Sequence, residues 1–134
     1  MKRTVANPRT LFDSRQFGFS QVAVAKPGTH IFVSGQVAWD ENLEIVGPND
    51  LAVQTRKSLD NLDVAVRSTG GTMEDIVMLR IYIVDYRNQD GNIISEALKE
   101  RFGSKAPPAS TWLDVQGLAN EGFMIEIEAH AVVS

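Results

Sequence analysis

The sequence predicts one α/β domain, an α+β sandwich in which two helices cover one face of a mixed sheet of about six strands. Three observations predict it. Strand-like and helix-like periods interleave along the chain instead of segregating into blocks. The stretch "DIVMLRIYIVD" (75–85) is aliphatic at alternate positions along most of its length, as a strand packed under helices would be. No repeat, linker or low-complexity tract divides the 134 residues. That length fits a single domain, 1–134, with enough buried surface for a core without staples.

Taken in order, residues 1–16 are polar and irregular and read as a loop or an extended arm. "FGFSQVAVA" (17–25) reads as a strand, and "KPG" (26–28) is a turn, since Pro presets φ and Gly tolerates tight bends. "HIFVSGQV" (30–37) is a second strand, rich in β-branched and aromatic residues. Gly35 inside it weakens the ladder and marks either a simple bulge or a close approach of a ligand to the backbone. "AWDENLEIVG" (38–47) reads as a hairpin tip with a short return strand. The period changes over 49–71: Ala52, Leu59, Leu62 and Val66 share one helical face. Asn49 or Asp50 is placed to cap this helix, and Gly70–Gly71 to end it. Strand 75–85 follows, with Val77, Leu79, Ile81 and Ile83 expected toward the helices and Ile76, Met78, Arg80, Tyr82 and Val84 away from them. "NIISEALKERFG" (92–103) is a shorter helix; "STWLDVQG" (110–117) and "FMIEIEAHAVV" (123–133) close the chain as strands.

Composition excludes several classes of chemistry. There is no cysteine, so disulfides, thiolate metal sites and a cysteine nucleophile are ruled out. His30 and His130 are the only histidines, too few to signal a zinc or iron site without a carboxylate cluster. The net charge of −4 and the pI of about 5.1 count against nucleic acid as a partner. The N-terminus lacks the apolar core of a signal peptide, and the apolar runs fall far short of the roughly 20 residues that span a bilayer. A soluble, cytoplasmic protein without a membrane partner is the expectation.

One layer of two helices covers one sheet face. Alternation places Met124, Glu126, Glu128, His130 and Val132 on the other side of the last strand. Ser110, Trp112, Asp114 and Gln116 share a side of the strand before it, and are expected to join them. An uncovered face with this much apolar surface marks an interface, so an oligomer that buries it is expected. Arg80 and the glutamates on that face have two readings: a structural ion pair, or a cleft in which one side chain orients a carboxylate ligand and the other handles a proton. His130 reads as a hydrogen-bonded packing residue sooner than a base. Trp112 and Tyr82 read as interface packing or as pocket walls.

"GFSQVAVA", "FVSGQV", the block "QTRKSLDNLDVAVRSTGGTMEDIVMLRIYIVD", "PPAST" and "MIEIEAHAVV" together resemble the RidA (YjgF) family, in order and over nearly the whole chain. The resemblance implies a chorismate-mutase-like fold and a homotrimer centred on a barrel of sheets, with small-molecule clefts between subunits. It implies cofactor-free hydrolysis of reactive 2-imino or enamino acids to 2-keto acids and ammonia. By position, Glu126 matches the family's active-site glutamate, and Ser34 with Gly35 its SGQ loop. Phe19 stands where the family commonly has Tyr, and Ser110 where the archetypal deaminases have the arginine that grips the substrate carboxylate. Losing that charge-assisted contact costs on the order of 10-fold in affinity for an imino acid, so the chain resembles an atypical branch lacking the substrate-binding arginine. The expected site is therefore Glu126 as the catalytic residue, with Arg80, Ser34, Gly35, Phe19, Ser110 and Trp112 binding substrate; Arg80 is the candidate to replace the missing cation. The function expected is that of a deaminase or hydrolase of a small imine or enamine. The competing expectation is a non-catalytic ligand-binding or regulatory homotrimer. RNA cleavage, a label also attached to the family, is disfavoured by the acidic composition.

Overall fold

The computed structural model describes residues 3–134. Six strands and two helices follow in the order β1 (Thr4–Ala6), β2 (Val22–Val24), β3 (Thr29–Gln36), α1 (Leu51–Arg67), β4 (Ile76–Val84), α2 (Asp90–Phe102), β5 (Ala109–Val115) and β6 (Ile125–Val133). The expected α+β sandwich with two helices is what the chain forms. The six strands are not quite the six expected. Thr4–Ala6 of the polar arm pairs with Val22–Val24, whereas the return strand near 45 shrinks to a single bridge between Trp39 and Ile45. Residues 14–17 of the arm and the expected first strand form a 3-10 turn instead.

The main sheet runs β3-β6-β4-β5. β4 pairs antiparallel with β6 and parallel with β5, and α2 is the crossover that a parallel pair requires. A parallel bridge from Ser20 to Ala109 attaches the β1-β2 pair to the β5 edge. Helix α1 starts at the Asp50 cap, whose carboxylate accepts the Val53 N–H, and it buries Leu59, Leu62 and Val66 completely against the sheet. Gly70 takes φ +88° three residues beyond the helix and turns the chain back toward β4.

Strict alternation fails at the start of β4. Ile76 pairs with Ala131 and Met78 with His130, so Val77 is an extra residue in the ladder. This bulge swaps the expected sides: Ile76 is fully buried with Leu79, Ile81 and Ile83, and Val77 is only partly buried.

β5 brings a larger correction. Its register sets Ser110 beside Leu79, Trp112 beside Ile81 and Asp114 beside Ile83. Neighbours across a sheet point the same way, so all three lie on the helix side, opposite to the face expected for them. Trp112 packs on the core there, as does Met124, also expected outside. The uncovered face instead presents Thr111 and Leu113 from β5, the latter 46% exposed. Beside them lie Arg80 and Tyr82 from β4, Glu126, Glu128 and His130 from β6, and Phe32 from β3, which is 76% exposed. No helix among the described residues is long and apolar enough to cross a membrane.

Candidate functional site

Ser34 and Gly35 form the bulge that the glycine signalled: Val33 pairs with Ala129 and Gln36 with Ile127, leaving two residues of β3 opposite Glu128 alone. What approaches the backbone at Gly35 is a side chain of the chain itself. A Cβ on Gly35 would lie 2.6 Å from Cγ and Cδ of Glu126 and 2.7 Å from its Oε1. The Glu126 carboxylate therefore lies directly against bare backbone, in space that a Cβ at position 35 would claim. The Gln36 side-chain amide donates to the Ser34 carbonyl at 3.0 Å and braces the bulge.

Two amides from α1 hold the strands that make this contact. Gln54, fully buried, donates to the carbonyls of Gly47 (3.1 Å) and Gly122 (3.0 Å), and its own oxygen accepts the Met124 N–H at 2.9 Å. Met124 lies two residues before Glu126. Asn61 donates to the carbonyls of Val37 (2.9 Å) and Trp39 (3.0 Å), just beyond β3. A polar residue at a helix position facing the core was the only sequence signal for either.

Across the β4-β6 ladder, Tyr82 stands opposite Glu126 and Arg80 opposite Glu128. The Tyr82 hydroxyl crosses diagonally and donates to Glu128 in a short hydrogen bond. That bond, with burial and the charges of Glu128 and Glu126, pushes the phenol above its ordinary pKa; Arg80 acts the other way. Tyr82 thus takes the glutamate that was a candidate partner for Arg80. Arg80 is exposed and forms no ion pair among the described residues.

His130 behaves as a packing residue. Its Nε2 lies 2.8 Å from His30 Nδ1, and its ring stacks on Phe32 at 4.5 Å between centroids. Burial, followed by the charges of His30 and Arg80, holds its pKa below the usual histidine value.

Phe19, Ser110 and Trp112 come together elsewhere, at the β5 edge. The Trp112 indole N–H donates to Ser110 Oγ at 2.9 Å, and the Phe19 ring lies 5.9 Å from the indole. The Ser20 N–H to the Pro108 carbonyl, at 3.1 Å, ties Phe19 alongside. Ser14 Oγ, donating to the Phe19 carbonyl at 2.7 Å, fixes it from the other side. The expected site residues thus fall into two groups on opposite faces of the sheet: Ser34, Gly35, Glu126 and Arg80 on the uncovered face, Phe19, Ser110 and Trp112 on the helix side. Among the described residues no three His, Asp or Glu side chains gather in a metal-holding group.

Residues 14–133 match the family model described as Endoribonuclease L-PSP. A RutC family protein of Sulfurisphaera tokodaii is 30% identical over 76% of this chain and 78% of its own length. The crystal structure of YyfB of Yersinia pestis, from the conserved Rid protein family, superposes with a TM-score of 0.94 at 38% identity, over 99% of this chain and all of that one. Escherichia coli TdcF with bound serine superposes with a TM-score of 0.69 at 32% identity, over 82% of this chain and 85% of the other.

Proposed function

The chain belongs to the RidA (YjgF) family, and we propose that it hydrolyses a small reactive imine or enamine in clefts between subunits, with Glu126 as the catalytic residue. The observation that carries this reading is the seating of the Glu126 carboxylate against the glycine bulge. It holds a carboxylate beside backbone that no side chain shields, on a face open to a ligand. In the reaction a water oxygen adds to the C=N carbon as Glu126 takes a proton from that water and passes it to the nitrogen. Glu126, a carboxylate again, then takes the carbinolamine hydroxyl proton and delivers it to the amino group as the C–N bond breaks, and ammonia leaves a carbonyl product. Neither step calls for a cofactor.

Arg80, on the same face and without an ion pair among the described residues, is suited to hold an anionic group of the substrate. A homotrimer, buried through the uncovered face, would bring the Glu126 group of one copy to the Phe19–Ser110–Trp112 group of the next. The similarity to TdcF, which holds serine, favours a small-molecule ligand.

One observation favours a second reading, a non-catalytic ligand-binding trimer. Ser110 Oγ is engaged by Trp112 and offers no charge at the position of the family's arginine.

The test generates imino acids in situ with a pyridoxal-phosphate dehydratase or an amino-acid oxidase and follows keto-acid release. The proposal expects acceleration by the wild type, a loss of about 100-fold or more for Glu126→Gln, and a raised KM for Arg80→Ala. No acceleration with any amino-acid-derived imine would sink the imino-acid reading in favour of the second.

A further inference from the structure

A cavity of about 170 Å³ opens on the helix side of the sheet, at the far end of β5 from the Ser110 hydroxyl. Ile83, Tyr86 and Trp112 form its apolar walls on that side, Leu113 borders it at the strand edge, and the Asp114 carboxylate stands among them. A dry cavity of about 150 Å³ accepts benzene, so this one admits a single ring or a branched alkyl group. Three further features define what else the ligand carries. Asp114 Oδ1 accepts the Tyr86 N–H at 3.0 Å, which orients the carboxylate; Oδ2 has no hydrogen bond among the described residues. No cationic side chain lines the cavity. The neighbouring cation, Arg87, is engaged by Asp85 at 3.0 Å. An indole and a phenol flank the carboxylate, and aromatic faces attract cations.

We propose that this cavity is a binding site for a small organic cation, a ring-sized apolar group bearing an ammonium. The apolar part fills the space between Trp112, Tyr86 and Ile83, and the ammonium donates to Asp114 Oδ2 at the mouth. Within one subunit the sheet separates the site from Glu126, and the inference requires no turnover; the Asp114→Asn arm below reads this carboxylate and not Glu126 of a neighbouring copy.

The probe is benzylammonium, compared with benzyl alcohol and benzoate as neutral and anionic counterparts of similar shape. Trp112 reports binding: the full chain carries Trp39→Phe, so that the remaining indole is the one in the cavity wall. The wild-type protein, read through its indole ¹H–¹⁵N signals, serves if that substitution disturbs folding. Saturable change with benzylammonium is expected, with affinity at least roughly tenfold above benzyl alcohol. Asp114→Asn should reduce benzylammonium binding to the level of the alcohol and leave the alcohol unchanged. Equal binding of the alcohol, or preference for benzoate, overturns the cation class. A linear, unsaturable response to all three probes overturns the site.

Discussion

Gly35→Ala isolates the contact on which the proposed chemistry rests. The new methyl would lie 2.6 Å from two carbons of Glu126, where carbon atoms ordinarily meet at about 3.5–4.0 Å. Glu126 must therefore withdraw by about 1 Å, or β3 must lift from β6. Gly35 does not use a positive φ, so alanine adds no backbone strain of that kind. Glu126 is a flexible, partly exposed side chain, so the cost lies at the low end for overpacking, about 1 kcal/mol, or roughly 3–5 °C in Tm for a domain of this size. A catalytic group misplaced by about 1 Å loses on the order of 100-fold in rate. The assay is a double-mutant cycle with Glu126→Ala, which removes the three atoms nearest to the new methyl. Thermal melts at one fixed protein concentration should show Gly35→Ala destabilising in the wild-type background and nearly neutral, within about 0.5 kcal/mol, beside Ala at position 126. The stability half of the cycle needs no substrate. Equal destabilisation in both backgrounds would refute the argument, because the methyl would then be striking something other than Glu126. So would wild-type turnover in Gly35→Ala.

Two further perturbations test what holds the site. Gln54→Ala leaves two carbonyls and the Met124 N–H without their buried partner; a loss of about 2–4 kcal/mol is expected in urea melts, against less than about 0.5 kcal/mol for the exposed neighbour Val53→Ala. His130 has a folded-state pKa below its unfolded value, so the unfolded chain binds more protons between the two. Stability should therefore fall as pH drops through the usual histidine range near 6.5. His130→Asn should flatten that slope between pH 7 and 5; an unchanged slope would place the titration on another group.

How far the site was legible depends on which physical constraint set each part. The glutamate strand was readable because 125–131 alternates without a break, and burial of Ile125, Ile127 and Ala131 then points Glu126 and Glu128 outward whatever their neighbours do. Gly35 was readable because a glycine inside a β-branched run has few other uses. The side taken by Ser110, Trp112 and Asp114 was not readable. Alternation says that they share a side, but the side itself is decided by the β4-β5 register, a contact between segments about 30 residues apart. Polarity pointed the wrong way because β5 lies at the edge of the four-stranded sheet, while α1 packs over β6 and β3. On that margin the helix side is itself partly wet, so a serine and an aspartate sit there without a desolvation penalty large enough to exclude them. Arg80 was legible in position but not in partnership: it faces Glu128 across the ladder, and only the diagonal reach of Tyr82 decides that the phenol, not the guanidinium, holds that carboxylate. The consequence is chemical. A phenol on Glu128 leaves Arg80 available to an outside anion, whereas an Arg80–Glu128 pair would have closed the face to one.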